Sequence, residues 1–118
     1  MTKFTLIWPQ GSISFNYNLS AAQQLKAKIG LLVETLKQVS QGKIPTKSFS
    51  PMEYQYTGEV FLEVFCNPNI YPSPFAAKVL ITVRDDKIRI TTETELNYLI
   101  ESLDNYIGDN NRGNIKSL

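Results

Sequence analysis

The side chains that carry most acid–base and nucleophilic chemistry are scarce in this sequence. It contains no histidine and a single cysteine, Cys66. Catalysis by Ser-His-Asp or Cys-His arrangements is therefore excluded, and so are zinc sites that need histidine or several thiolates. The six glycines are scattered, and none of them belongs to a glycine-rich phosphate loop. The sequence thus predicts no catalytic residue, no cofactor and no metal site.

The remaining candidates for chemistry have simpler explanations. Asp85 and Asp86 are the only adjacent acids, and their position between two alternating runs predicts an exposed turn rather than a catalytic pair held in unlike environments. A calcium loop starting at Asp109 would need glycine where Asn114 stands. Cys66 ends a predicted buried strand, which is typical of an inert structural thiol.

Charge is unevenly distributed, although the net charge is only +1. Residues up to Ser50 carry a net charge of +5, and the remainder carries −4. Two explanations stay open: two solvated helix faces of opposite sign that lie near each other, or a charged surface that orients a partner. Nucleic-acid binding is disfavoured by the small net charge and because Lys26 and Lys28 point to different sides of a helix.

Two periodicities locate the elements of the first half. Residues 4–8 and 13–19 flank Pro9–Gly11 and predict a β-hairpin. Ser20 and Gln23 match a capping box, which predicts a helix that ends near Gly42. Residues 43–58 contain two prolines and no clean periodicity, which predicts a long loop. The apolar stripe of the helix predicts its buried face: Ala22, Leu25, Ile29, Leu32, Leu36 and Val39.

The second half alternates between strand and loop before a final helix. Residues 59–66 are apolar on both faces, which predicts a central strand, and residues 67–77 contain three prolines, which predicts a second loop. Residues 78–91 alternate around Asp85-Asp86 and predict a second hairpin. Thr92 and Glu95 match a second capping box, so a helix is expected from Thr92 to Gly108. Residues 109–118 are expected to be a flexible tail.

These elements predict one α+β domain over residues 1–108. It would be a two-layer sandwich of a mainly antiparallel five-stranded sheet and two amphipathic helices, in the order ββ-α-βββ-α. Phe61 and Phe65 would then lie on the sheet face away from the helices, and a homodimer through that face or a sheet edge would bury them. No stretch approaches the ~20 apolar residues of a membrane span.

The two predicted loops are unusual because they are rich in large apolar residues. Such residues either fold back onto the core or face a partner, and the sequence leaves both explanations open. Tyrosine is favoured at interfaces, and prolines lower the cost of ordering a loop on binding. The candidate partner-binding residues are Phe49, Met52, Tyr54, Tyr56, Ile70, Tyr71 and Phe75.

We therefore predict a non-enzymatic protein-interaction module, such as an accessory subunit, an adaptor or an assembly chaperone. One alternative is a small-molecule binder or small enzyme that uses carboxylate, lysine and tyrosine groups. Another is weak nucleic-acid binding by the basic half, with Phe49, Tyr54 and Tyr56 available for stacking. The lone cysteine and the lack of a secretory signal pattern favour a cytoplasmic location.

Overall fold

The computed structural model describes residues 2–42 and 49–116. The α+β class predicted from sequence is confirmed, in the order ββ-α-ββββ-α rather than ββ-α-βββ-α. Two 3₁₀ turns, Pro68–Ile70 and Pro74–Ala76, lie within residues 67–77, which we call the proline-rich segment. The elements are β1 (Thr2–Trp8), β2 (Gly11–Tyr17), α1 (Leu19–Ser40), β3 (Met52–Thr57), β4 (Phe61–Cys66), β5 (Lys78–Arg84), β6 (Arg89–Glu95) and α2 (Leu96–Lys116).

Helix α1 begins two residues earlier than its capping box suggests. Asn18, rather than Ser20, is the N-cap, and its side-chain oxygen accepts a 2.7 Å hydrogen bond from the Ala21 amide. Asparagine caps a helix as well as serine does, and here it directly follows the last paired residue of β2. The predicted stripe is buried from Ala22 to Leu36. Gly42 has a φ of +75°, the left-handed conformation expected just after a helix.

The prediction of one five-stranded sheet is wrong in the number of strands and of sheets, whereas the predicted antiparallel pairing is confirmed. The first hairpin forms a separate two-stranded sheet, and the other four strands form an antiparallel sheet in the order β3-β4-β5-β6. The extra strand, β3, occupies part of the predicted first loop. Residues 43–48 of that loop lie outside the described residues, as do residues 117–118 of the predicted tail.

Both predicted ends of the last helix are wrong. The predicted N-cap, Thr92, lies in β6, where it pairs with Ile81, and the helix starts at Leu96. Threonines that alternate with charged residues fit a half-buried strand, and pairing with β5 decides between strand and helix. At the other end the helical backbone passes Gly108 and reaches Lys116. A glycine inside a helix costs about 1 kcal/mol, which is too little to end a helix by itself.

The helices cover only one face of the four-stranded sheet. Helix α1 contacts β3, and α2 contacts β6 and β1. Sheet residues on the covered face, including Leu62, Val64 and Ile81, belong to the same buried cluster as the helix stripes. The other face, which we call the open face, carries the alternate residues of each strand. As predicted, β4 is an interior strand with apolar residues on both faces.

Candidate interaction surface

The structure separates the seven candidate partner-binding residues into core and surface. Met52, Tyr54 and Tyr56 were expected on a loop, but they lie on β3 and alternate with the exposed Glu53 and Gln55. Tyr54 is buried and Met52 and Tyr56 are partly buried against the core. The explanation by local packing therefore applies to these three residues.

Tyr54 belongs to a buried aromatic cluster that joins the two sheets. Its hydroxyl lies 2.6 Å from that of Tyr17 and donates a 3.2 Å hydrogen bond to the Ala21 carbonyl. The Tyr17 hydroxyl thus donates to Tyr54. Burial raises the pKa of both phenols, and the hydrogen bond to Tyr54 raises the pKa of Tyr17 further. Both phenols stay protonated near neutral pH, so the pair serves packing rather than acid–base chemistry.

Phe49 and the first 3₁₀ turn are tied together by Asn69. The Phe49 amide donates to the Asn69 side-chain oxygen at 2.9 Å, and the Asn69 amide group donates to the Phe49 carbonyl at 2.7 Å. Asn69 also bonds through its backbone and side chain to the Asn67 side-chain oxygen. The segment that leads into β3 is therefore held against the proline-rich segment, and Phe49 is half-buried.

The proline-rich segment, residues 67–77, has two of its three candidate residues on the surface. Ile70 is 66% exposed and Phe75 is 93% exposed, while Tyr71 is half-buried. Phe75 is the most exposed large apolar residue in the described part of the chain. Each 3₁₀ turn begins with a proline, and the Ala76 and Ala77 amides bond back to the second turn. These features hold Phe75 outward on a short, stiff backbone segment.

Phe75 borders an apolar groove between the two helices. The groove has a volume of ≈ 400 Å³ and is closed at one end by the second 3₁₀ turn. Val33 of α1 and Ile100 of α2 line it, and both also line a narrower continuation of ≈ 240 Å³ that passes Gly30. A Cβ built at Gly30 would meet no atom within 4 Å, so this part of the groove is open. We call the two parts together the helix groove.

Ion pairs border the helix groove without giving it a dominant charge. Lys26 of α1 contacts Asp104 of α2 at 2.5 Å, and Lys37 lies 3.5 Å from Glu34 on α1. All four side chains are about half exposed or more, so each pair contributes at most about 1 kcal/mol. The Lys26–Asp104 pair places the basic first helix beside the acidic last helix. Apolar contacts, rather than charge, are therefore the main attraction that the groove offers.

Sequence reasoning missed the groove because its lining comes from two helices and a loop. Val33 lies outside the predicted stripe, yet it follows Leu31 and Leu32 in an apolar run. Such a run widens the apolar face of a helix beyond what one core needs. The wider apolar face of α1 was the feature of the sequence that could have indicated the groove. It becomes one wall of a groove only because α2 packs beside α1.

Asp85 and Cys66 have the structural positions that the sequence indicated. The Asp85 carboxylate accepts hydrogen bonds from the Ile88 and Lys87 amides, which hold the pKa of this exposed side chain below its usual value and fix the β5–β6 turn. Cys66 is buried, and burial raises the pKa of its thiol to about 11. Among the described residues, no three acidic or cysteine side chains come together as metal ligands would.

We expect Cys66 of the folded protein to react slowly with alkylating agents. Because the pKa of the Cys66 thiol is about 11 instead of 9.0, the folded protein contains roughly 100-fold less thiolate at neutral pH than an exposed cysteine would, and burial blocks access to the sulfur. Iodoacetamide labelling followed by mass spectrometry, with and without urea at one pH, measures this. Equal rates in the native and unfolded protein would show that the thiol is reactive in the fold.

Comparison with known proteins assigns no relative. No protein-family model, curated protein or solved structure matches this chain significantly. Neither helix, over the residues described, combines the length and apolar character needed to cross a membrane. The function must therefore be argued from the surface itself.

Proposed function

We propose that this chain is a non-enzymatic protein-interaction module that holds an amphipathic helix of a partner protein in the helix groove. The observation that supports the proposal is the exposure of Phe75, whose side chain is 93% exposed and borders an apolar groove. A phenylalanine exposes 150–250 Å² when it is uncovered, so covering it contributes substantially to binding. A single cysteine, which allows no disulfide bond within the chain, supports a cytoplasmic location for this module.

The shape of the groove favours a helix as its occupant. The groove follows the seam between α1 and α2 from Lys26 to Ser40. These fifteen helical residues span about 21 Å, which is about four turns of a partner helix. A helix with apolar residues at spacings of three and four would place them on Val33 and Ile100, with Phe75 at one end. The stiff 3₁₀ turn lowers the entropy cost of ordering Phe75 on binding.

Two variants test the proposal, and one of them should also stabilise the isolated protein. Phe75→Glu should weaken partner binding at least about 30-fold, as expected for an interface anchor. Gly30→Leu should fill the groove and weaken binding too, although it should stabilise the isolated protein by up to about 1 kcal/mol because leucine favours helix. A variant that gains stability and loses its partner cannot be explained by misfolding.

The matched control is Ile88→Glu. Ile88 is 61% exposed, but it lies at the β5–β6 turn rather than at the groove. A photo-crosslinking residue placed at position 75 or at position 88 of the full chain identifies the partner segment in native cells, and titration of that segment gives affinities. The proposal fails if both positions capture the same proteins, or if Phe75→Glu and Ile88→Glu bind equally well.

The groove also gives one specific argument for the small-molecule alternative. Its volume of ≈ 400 Å³ falls within the 300–1,000 Å³ range of ligand pockets, and its lining is mainly apolar. Thermal shift against a metabolite library separates the two functions. Saturable stabilisation by one apolar compound, lost in Gly30→Leu, would favour the alternative over a protein partner.

A further inference from the structure

A second uncovered apolar surface lies on the open face of the four-stranded sheet. Phe65 of β4 pairs in register with Leu80 of β5, and Phe61 lies on the same face of β4. Leu80 is 42% exposed, and the 66% exposed Ile70 joins Phe65 and Leu80 around a small pocket. No helix in the described part of the chain covers this face. The open face is therefore separate from the helix groove.

Charged residues occupy opposite ends of this face. Arg84 and Arg89 pair in register, and they form one row with Phe61. Four residues along the strands, Glu53 and Glu93 lie in a second row with Phe65 and Leu80. The two rows are thus about 13 Å apart. We call them the arginine row and the glutamate row.

The four charged side chains are available to a partner. All four are exposed, and none forms an ion pair within the described residues. The Arg84 guanidinium lies over the Phe61 ring, with 4.4 Å to the ring centroid, and this contact holds it along the sheet surface. The face therefore has one positive and one negative end. Its apolar residues lie within these two rows, and the row between them is polar and consists of Gln55, Glu63, Thr82 and Thr91.

We infer that the open face is the interface of a symmetric homodimer in which the arginine row of one protomer faces the glutamate row of its partner. A two-fold axis across the strands, through the row that lies between them, brings Arg89 over the partner's Glu93 and Phe61 over the partner's Phe65. A two-fold axis along the strands would instead place the arginine row of one protomer on the arginine row of the other. The charges therefore favour one of the two symmetric orientations.

The size of the face predicts a weak dimer. Two strands of six residues and two of seven cover about 400 Å² in projection. Standard stable interfaces bury roughly 800 Å² on each partner. The row between the charged rows weakens the dimer, because Glu63 of one protomer faces the partner's Glu63 near the two-fold axis. Glu63 accepts a 2.8 Å hydrogen bond from Gln55 of the same chain. Self-association is therefore expected to depend on protein concentration and on salt.

Charge reversal with mixing tests this arrangement. Arg84→Glu with Arg89→Glu, and separately Glu53→Arg with Glu93→Arg, should each weaken self-association by about 10- to 100-fold, because like charges then face each other. Mixing the two variants should restore a dimer containing one chain of each. Glu34→Arg with Glu101→Arg reverses two charges on the helices and should leave the dimer unchanged. Sedimentation equilibrium of the full chain measures all of these.

A conservative variant keeps the test informative if a charge reversal fails to fold. Glu63→Gln retains the shape of the side chain and removes the repulsion at the axis, so it should strengthen the dimer, with a dissociation constant several-fold lower. A wild-type chain that stays monomeric at every concentration would overturn the inference, and so would a dimer that mixing does not restore. Phe75→Glu should leave the dimer intact, so failure here and failure of the helix-groove proposal are distinguishable.

Discussion

Replacing Phe4 with alanine is expected to lower the free energy of unfolding by about 3–5 kcal/mol. Phe4 is 1% exposed, and its ring centroid lies 5.4–5.5 Å from those of Phe15, Tyr17 and Tyr106. Alanine would leave a cavity where the first hairpin meets α2, and it would remove three aromatic contacts at once. Urea unfolding followed by circular dichroism measures the change.

The same substitution at Phe75 is the matched control. Phe75→Ala should change the free energy of unfolding by less than about 0.5 kcal/mol, because this side chain is almost fully exposed in the isolated protein. If Phe4→Ala fails to fold, Phe4→Leu provides a measurable, smaller loss. Similar costs at positions 4 and 75 would contradict the division of the aromatic residues into core and surface.

The buried tyrosine pair should respond unequally to the loss of either hydroxyl. Tyr54→Phe leaves the Tyr17 hydroxyl buried without its acceptor, so it should cost about 1–3 kcal/mol. Tyr17→Phe leaves Tyr54 still donating to the Ala21 carbonyl, and should cost about 1 kcal/mol. The double variant should cost less than the sum, because neither hydroxyl remains to be satisfied. Equal single effects that add would argue against this network.

Alkaline pH provides a second readout for the same pair. Burial raises the pKa of both phenols in the folded state, whereas an unfolded tyrosine ionises near pH 10. Their contribution to stability is therefore present below about pH 10 and is lost as the pH rises further. The variant with phenylalanine at both positions should lose less stability over that range than the wild type does.

Much of the fold could be predicted because the helices and the interior strand carry strong patterns. Leu25, Ile29 and Leu36 repeat at helical spacing, and all three are buried in α1. The apolar character of both faces of residues 61–66 correctly placed β4 inside the sheet. These two predictions are correct because both rest on which residues are buried, and burial depends on the whole helix or strand rather than on its ends.

The missed strand shows where local signals conflict. Met52, Tyr54 and Tyr56 alternate with polar residues, which is typical of a half-buried strand. Pro51 and Gly58 flank this run, and they made the segment look like a loop. They bound the strand instead of breaking it. As a result, the sequence named the exposed Ile70 and Phe75 and the buried Tyr54 as candidates alike, and it could not tell which of them lie on the surface.

Because both helices pack on the same side of the four-stranded sheet, the molecule has two chemically distinct sides. Association through the sheet would leave the seam between the helices uncovered in each copy. Two such copies would form a bivalent scaffold, and a partner carrying two tethered helices would engage it with avidity far above that of a single site. On the two proposals above, a sheet covered on one face only would thus allow weak dimerisation of the chain to produce tight binding of a partner that has two helices.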